Sequence, residues 1–310
     1  MRSLCQCSRV APVILFLLAS SRAIIAAPQE TERFTRTLKV GRNGSLTLSN
    51  LSGDIVVRGV AGDEIHIEAV KRAGSGNARR QLESTEIQVT QTGDRVRVHT
   101  RYPENGGHVS VDYDVSLPEG TSVTLSSVSG DIELEGVEGE TQIESVSGEV
   151  KVNRAGRLVR AKSVSGDVTV DAASSRAELE ISSVSGDVRV NGVTATSLEV
   201  GSVSGDVLVG EATSDRATLK SVSGDIRYSG PFAPSGRYEF KSHSGDVRIV
   251  ISNDAGFELD AKTFSGEIES EFPLTVHSMK ERRKLSGVYG DGGAFIDASS
   301  FSGSITLSKR

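Results

Sequence analysis

From about residue 120 the chain alternates apolar and polar residues at period two, in short bursts. Each burst is broken by a Ser-Gly pair, most often inside Val-Ser-Gly-Asp. The pairs fall at Gly53, Gly130, Gly148, Gly166, Gly186, Gly205, Gly224, Gly245, Gly266 and Gly303, at intervals of 77, 18, 18, 20, 19, 19, 21, 21 and 37. Taken as multiples of a period of about 19 residues, the first and last intervals are four and two units. One register of about fourteen rungs, several of them degenerate, is therefore expected between Gly53 and Gly303.

The positions around each glycine test this. Two residues after it stand Ile55, Ile132, Val150, Val168, Val188, Val207, Ile226, Val247, Ile268 and Ile305. Four after it the series is apolar again except at Ser270, and five before it runs from Leu48 and Leu125 to Ala298. Seven before it most residues are apolar, Val159 and Leu179 among them. Alternation on both sides of the glycine predicts two short strands per rung. A further Ser-Gly at Gly287 fails, since Lys280 and Arg282 occupy its inward positions, and it is read as a loop.

A unit this short cannot bury its apolar edge alone, but stacked copies can. The fold expected is all-β: a single-chain β-solenoid, β-helix-like, with ~19-residue rungs of two short strands. At about 4.8 Å per rung, fourteen rungs make a rod of about 65 Å. The column two before the glycine (Leu51, Val128, Val146, Val164, Val184, Val203, Val222, His243, Phe264, Phe301) is taken as part of a narrow core. Glycine at each corner permits positive φ, and the following acid suits a turn whose N–H groups it caps.

Between Gly53 and Gly130 the pattern blurs. Strand-like pieces occur at 64–70, 86–90, 95–100 and 109–117, with loops at 74–77 and 103–107 and a short helix at 78–84. Residues 27–120 read as an irregular N-terminal portion of the solenoid, with a separate small β domain as the alternative. Residues 121–310 hold the regular repeats and an atypical C-terminal cap, entered through 271–293 and its basic stretch Lys280–Lys284.

Composition sharpens this. Glycine is 33 of 310 residues, tryptophan is absent and aromatics are 5%, as a thin valine-rich core requires. Arg2 and Arg9 precede an apolar run from Val10 to Ala19, with small residues near Ala26. That order predicts a secretory signal peptide over residues 1–26, with an uncleaved anchor as the rival reading. Both cysteines, Cys5 and Cys7, lie inside it. Its removal takes away three arginines and no acid, moving the net charge from −6 to −9. A chain this acidic is a poor match for nucleic acid. No later segment is apolar enough to cross a membrane. The protein is expected in the periplasm or outside the cell.

Repeated Ser-Gly-Asp/Glu-Val/Ile rungs after such a leader resemble the bacterial "putative adhesin" family of β-strand-repeat proteins, a domain of unknown function. Gly290–Ile296 and Ser300–Ile305 are similar to its closing pattern. The resemblance spans about residues 34–308 and implies a β-helix-like fold and export. It carries over no catalytic residue.

Candidate chemistry is sparse. An acid follows nine of the ten glycines, and adjacent carboxylates about 4.8 Å apart repel by about 0.9 kcal/mol in water. Each is read as capping its own turn, helped by Arg189, Arg227 and Arg248. The alternative is a calcium ridge over Asp167, Asp187, Asp206, Asp225 and Asp246. The serines one and three before the glycine satisfy turn hydrogen bonds, and ten equivalent serines argue against a unique nucleophile. His243 is read as a core histidine bonded to a hydroxyl. His66, His99, His108 and His277 lack metal-ligand spacing. Lys220, Lys241 and Lys262 form an outward column, read as a cross-strand salt network with Glu239 and Asp260. The expectation is a non-enzymatic structural or adhesive surface contacting a cell-surface glycan, the cell wall or an envelope protein, with no cofactor. The alternatives are a β-helix polysaccharide-active enzyme, with its site among 72–80, 103–107 and 271–293, and a periplasmic partner in envelope-stress signalling.

Overall fold

The computed structural model describes residues 30–74, 77–103, 109–280 and 283–310. The expected signal peptide, His108 and parts of the loops and of the basic stretch lie outside them.

Each rung supplies one strand to each of two sheets. The strand before the glycine, such as Ser122–Ser129 or Glu178–Ser185, joins a sheet of 14 strands; the shorter strand after it, such as Ile132–Glu135 or Val188–Asn191, joins a sheet of 13. Neighbouring rungs pair in parallel, glycine column on glycine column. The ladder continues through the corner, for Gly130 N–H donates to the Ser147 carbonyl and Gly148 N–H to that of Ser165, both at 3.0 Å. Inward positions fill the space between the sheets: Ile143, Ile181, Val200 and Leu219 on one side, Val150, Val168 and Val188 on the other, all fully buried. The β-solenoid architecture is thus the one the repeat dictates.

Among the described residues ten rungs carry the Ser-Gly corner and one more lacks it, fewer than the fourteen expected. Ser45–Ser52 pairs directly with Ser122–Ser129, and Ile55–Val60 with Ile132–Glu135. The 77-residue interval therefore places no rung between these two, but it adds one degenerate rung outside them: Arg95–Arg101 stacks in parallel on Ser45–Ser52, and Val109–Pro118 on Ile55–Val60. It is an excursion whose strands extend both sheets at one end. Glu64–Ala73 pairs antiparallel with Glu30–Lys39 and Val109–Pro118, beside the expected helix Ala78–Ser84; Glu86–Thr92 and Arg95–Arg101 form a hairpin on the other sheet. The ten Ser-Gly rungs, with nine intervals at about 4.8 Å, span about 43 Å, less than the length expected for fourteen.

The other outlier has a different cause. The Gly303 rung does not follow the Gly266 rung in space. Ala294–Ser302 lies between Arg237–Ser244 and Phe257–Ser265, and Ile305–Lys309 lies between Val247–Ile251 and Ile268–Ser270. The last rung in sequence is the second last in the stack. Gly287 is not a rung, but neither is it in a loop: Lys284–Tyr289 forms a hairpin with Thr275–Lys280 and pairs antiparallel with Phe257–Ser265. Val159 is not inward either, since a bulge between Thr141 and Gln142 and their partners buries Leu158 instead.

Candidate binding face

The corner of each rung fixes which side chains face water. A Cβ on Gly224 would stand 2.1 Å from the Gly205 carbonyl oxygen, and one on Gly205 2.2 Å from that of Gly186. Close backbone approach, repeated down the column, demands glycine here. Positive φ is a second reason only at some corners, for example Gly53 at 110° and Gly130 at 133°.

The acid after the glycine does not cap its own turn, as the sequence suggests. It reaches the next rung. Asp167 Oδ1 accepts the Asp187 N–H at 2.9 Å, Asp187 the Asp206 N–H at 2.9 Å, Asp206 the Asp225 N–H at 2.9 Å, and Asp225 the Asp246 N–H at 3.0 Å. Arg189 bonds the Oδ2 atoms of Asp167 and Asp187, and Arg227 that of Asp225, which offsets the repulsion down the column. Hydrogen bonding to Asp167 leads the causes that raise the Arg189 guanidinium above its ordinary value. The five candidate calcium ligands therefore share one edge, each with one oxygen committed to backbone.

The hydroxyl column three before the glycine is buried and also works between rungs. Ser183 donates to the Gly166 carbonyl at 2.8 Å and Ser202 to that of Gly186 at 2.9 Å. The lysine column is a salt network, but only partly the cross-strand one expected: Lys220 meets Glu199 of the neighbouring strand at 3.4 Å, whereas Lys262 meets Asp260 at 2.8 Å and Lys241 pairs with Glu239 within their own strands. Lys162 extends it, pairing with Glu180. Burial pushes the Glu180 carboxyl up, but Lys162 and Arg160 together outweigh burial and hold it below its ordinary value.

The column two before the glycine lies outside the core. Leu51, Val128, Val146, Val164, Val184, Val203, Val222 and Phe301 are each 43–49% exposed, and Phe264 is 66% exposed. His243, expected in the core, is exposed as well and stacks on Phe301, ring centroids 4.9 Å apart; Phe301 stacks on Phe264 at 4.8 Å. The ten residues form one apolar ridge along the edge of the long-strand sheet. Beside it, from Leu51 to Val184, runs an open groove of about 660 Å³, walled by the ridge and by Glu144, Lys162, His99 and serines. The signal for the ridge was in the sequence. Positions seven, five and three before the glycine share one parity, so position two must face the other way.

Among the described residues no group of three or more His, Cys, Asp or Glu is placed to hold a metal, and no helix is long and apolar enough to cross a membrane. Of the regions where an enzyme site was to be sought, 271–293 is taken up largely by the hairpin that edges the long-strand sheet.

Among solved structures the chain is similar to a "putative adhesin" from Bacteroides fragilis, at 14% identity over 90% of this chain and 97% of that one, with a TM-score of 0.46. It is similar to another from Parabacteroides distasonis, at 12% identity, 90% and 97% coverage and a TM-score of 0.41. A "putative lipid binding protein" from the same species gives 14%, 90%, 96% and 0.39. No curated protein matches. The Toastrack DUF4097 profile matches residues 19–191 and again residues 159–308. Those two matches take in all ten rungs and the strands at both ends of the stack, and the chain belongs to the Toastrack DUF4097 family.

Proposed function

We propose that this protein is an exported, non-enzymatic β-solenoid that serves as a structural or adhesive surface in the bacterial envelope. Its contact face is the ridge side of the long-strand sheet. One observation carries the reading: nine large apolar side chains and His243 stand exposed in a single unbroken column. Soluble monomers seldom expose so long an apolar strip unless something docks on it. The stacked rungs hold the strip in register, and the basic start and short apolar run of residues 1–26 support export. An envelope protein is the class of partner that an apolar strip fits best, with the cell wall or a glycan as the rival surfaces. The same reading divides the chain into the leader, an irregular portion over 27–120 and the regular stack over 121–310.

The test is cell fractionation, followed by binding of the purified protein to a glycan array and to isolated envelopes. Val164→Lys and Val203→Lys should abolish binding while the melting temperature holds, because both side chains already face water. Thr169→Lys, on the opposite sheet, should leave binding intact. Binding unchanged by the ridge variants overturns the proposal.

A further inference from the structure

The ridge is a poor seat for sugar. Sugars stack on aromatic faces, but the ridge has three rings, with Phe301 sandwiched between His243 and Phe264 at interplanar angles of 11° and 3°, which leaves the outer face of Phe264 at the far end of the column. The remaining ridge side chains are aliphatic and offer no hydrogen bond to a hydroxyl. An apolar partner with the same repeat fits such a ridge best, and its two flanks point to which.

On the strand side, two residues back on the same face, stand Lys162, Lys220, Lys241 and Lys262, with Glu144 the only acid in that column. On the turn side stands the acid column that includes Asp167, Asp225, Asp246 and Glu267. A twofold axis along the ridge keeps each rung opposite itself and exchanges the flanks. Each of the four lysines then faces the acid of the same rung in the other copy. An axis across the ridge would instead set lysine flank against lysine flank.

We propose that the ridge is the interface of a parallel, in-register dimer of this chain, closed by lysine–acid pairs on both sides. This rests on reading the ridge as the contact face. The lysines' present ion pairs with Glu180, Glu199, Glu239 and Asp260 are about a third to a half exposed, and so are those of two facing acids, Asp167 with Arg189 and Asp225 with Arg227. Such pairs hold by at most about 1 kcal/mol, so they can be re-aimed or shared. The ridge and one column on either side cover about 43 Å by 14 Å, or about 600 Å² per copy, at the lower bound for a stable interface. A second copy also matches the rung spacing at every position.

Cysteine cross-linking reads the geometry directly, because Cys5 and Cys7 are the only cysteines and both can be made serine. In that background Val128→Cys and Val222→Cys, each alone, should give a disulfide-linked dimer under mild copper-catalysed oxidation. Thr169→Cys, on the opposite sheet, should stay monomeric. Sedimentation of the unaltered chain should show the mass doubling with concentration, and Val184→Lys should hold it at monomer while the melting temperature is kept. Cross-linking only when Val222→Cys is mixed with Val164→Cys means antiparallel pairing and overturns the proposal. A chain monomeric at every concentration overturns it too, and if Val184→Lys then still loses binding to envelopes or glycans, the ridge is a contact face for something else. A dimer broken by Val184→Lys with envelope binding unchanged keeps this inference and removes the adhesive one.

Discussion

At Gly224 the absence of a side chain is a contact requirement. A methyl group there would sit 2.1 Å from the Gly205 carbonyl oxygen, and that oxygen belongs to a ladder that cannot yield without parting two rungs. Gly224→Ala should therefore cost about 1–3 kcal/mol or more, the range for overpacking in a rigid interior. Gly74 has nothing within 4 Å of its Cβ position, and Gly74→Ala should be near neutral, both read as urea midpoints. Asp206 separates charge from hydrogen bonding in the same way. Its Oδ1 accepts the Asp225 N–H at 2.9 Å. Asp206→Asn retains an acceptor and removes a repelling charge, so stability should hold, or rise at low salt. Asp206→Ala should lose about 0.5–1.5 kcal/mol, the usual worth of one such bond. The sequence announced both columns but not their reach. Carboxylate and carbonyl partners one rung away are 18 to 21 residues distant, beyond any local turn rule. The ridge was legible in principle, since alternation alone puts Val184 and Ser183 on opposite faces. Hydrophobicity, read without parity, assigned Val184 and its column inward.

At the scale of elements, the two ends of the stack depart from the repeat for different reasons. The first rung carries Asn50 where the others carry Ser or Thr, and its amide donates to the Val111 carbonyl at 2.8 Å and the Gly53 carbonyl at 3.1 Å. Thr100 links Asn50 Oδ1 to the Tyr113 hydroxyl, at 3.1 Å and 2.6 Å, and plugs the core where the excursion strands take over. Burial, only partly offset by Thr100, pushes the Tyr113 phenol up to about 12. A raised folded value means that the neutral phenol favours the fold below pH about 10 and that this contribution is lost as pH climbs toward 12. Tyrosinate absorbance should thus appear together with unfolding in that window, and Tyr113→Phe should flatten the alkaline fall in stability. At the far end the terminal rung sits between two rungs made earlier in the chain. Removing residues 294–310 strips hydrogen bonds from both neighbours, not from one edge. The truncated chain should melt well below the full one and bind a dye specific for exposed apolar surface, whereas peeling an edge strand would do little of either. Interval arithmetic could not foresee this: 37 is two periods in sequence, but insertion, not an intervening rung, accounts for it.

Across the whole molecule, the acid column tests whether charge in this fold waits for an ion or is already spoken for. Calcium takes six to eight oxygens at about 2.3–2.6 Å, from carboxylates, carbonyls and water. Down the column each Asp from 167 to 225 gives one oxygen to the next backbone N–H, and Arg189 and Arg227 hold the second oxygens of Asp167, Asp187 and Asp225. An ion seated there would have to break ladder bonds or displace a guanidinium. What the column does have is self-repulsion, and any salt relieves that by screening within a Debye length of about 10 Å at 0.1 M. Millimolar calcium chloride should therefore move the melting temperature no further than sodium chloride of equal ionic strength, and a chelator should move it not at all. A rise specific to calcium, lost in an Asp187→Asn, Asp206→Asn double variant, would instead place a metal on this edge and make the solenoid's charge a ligand rather than a scaffold.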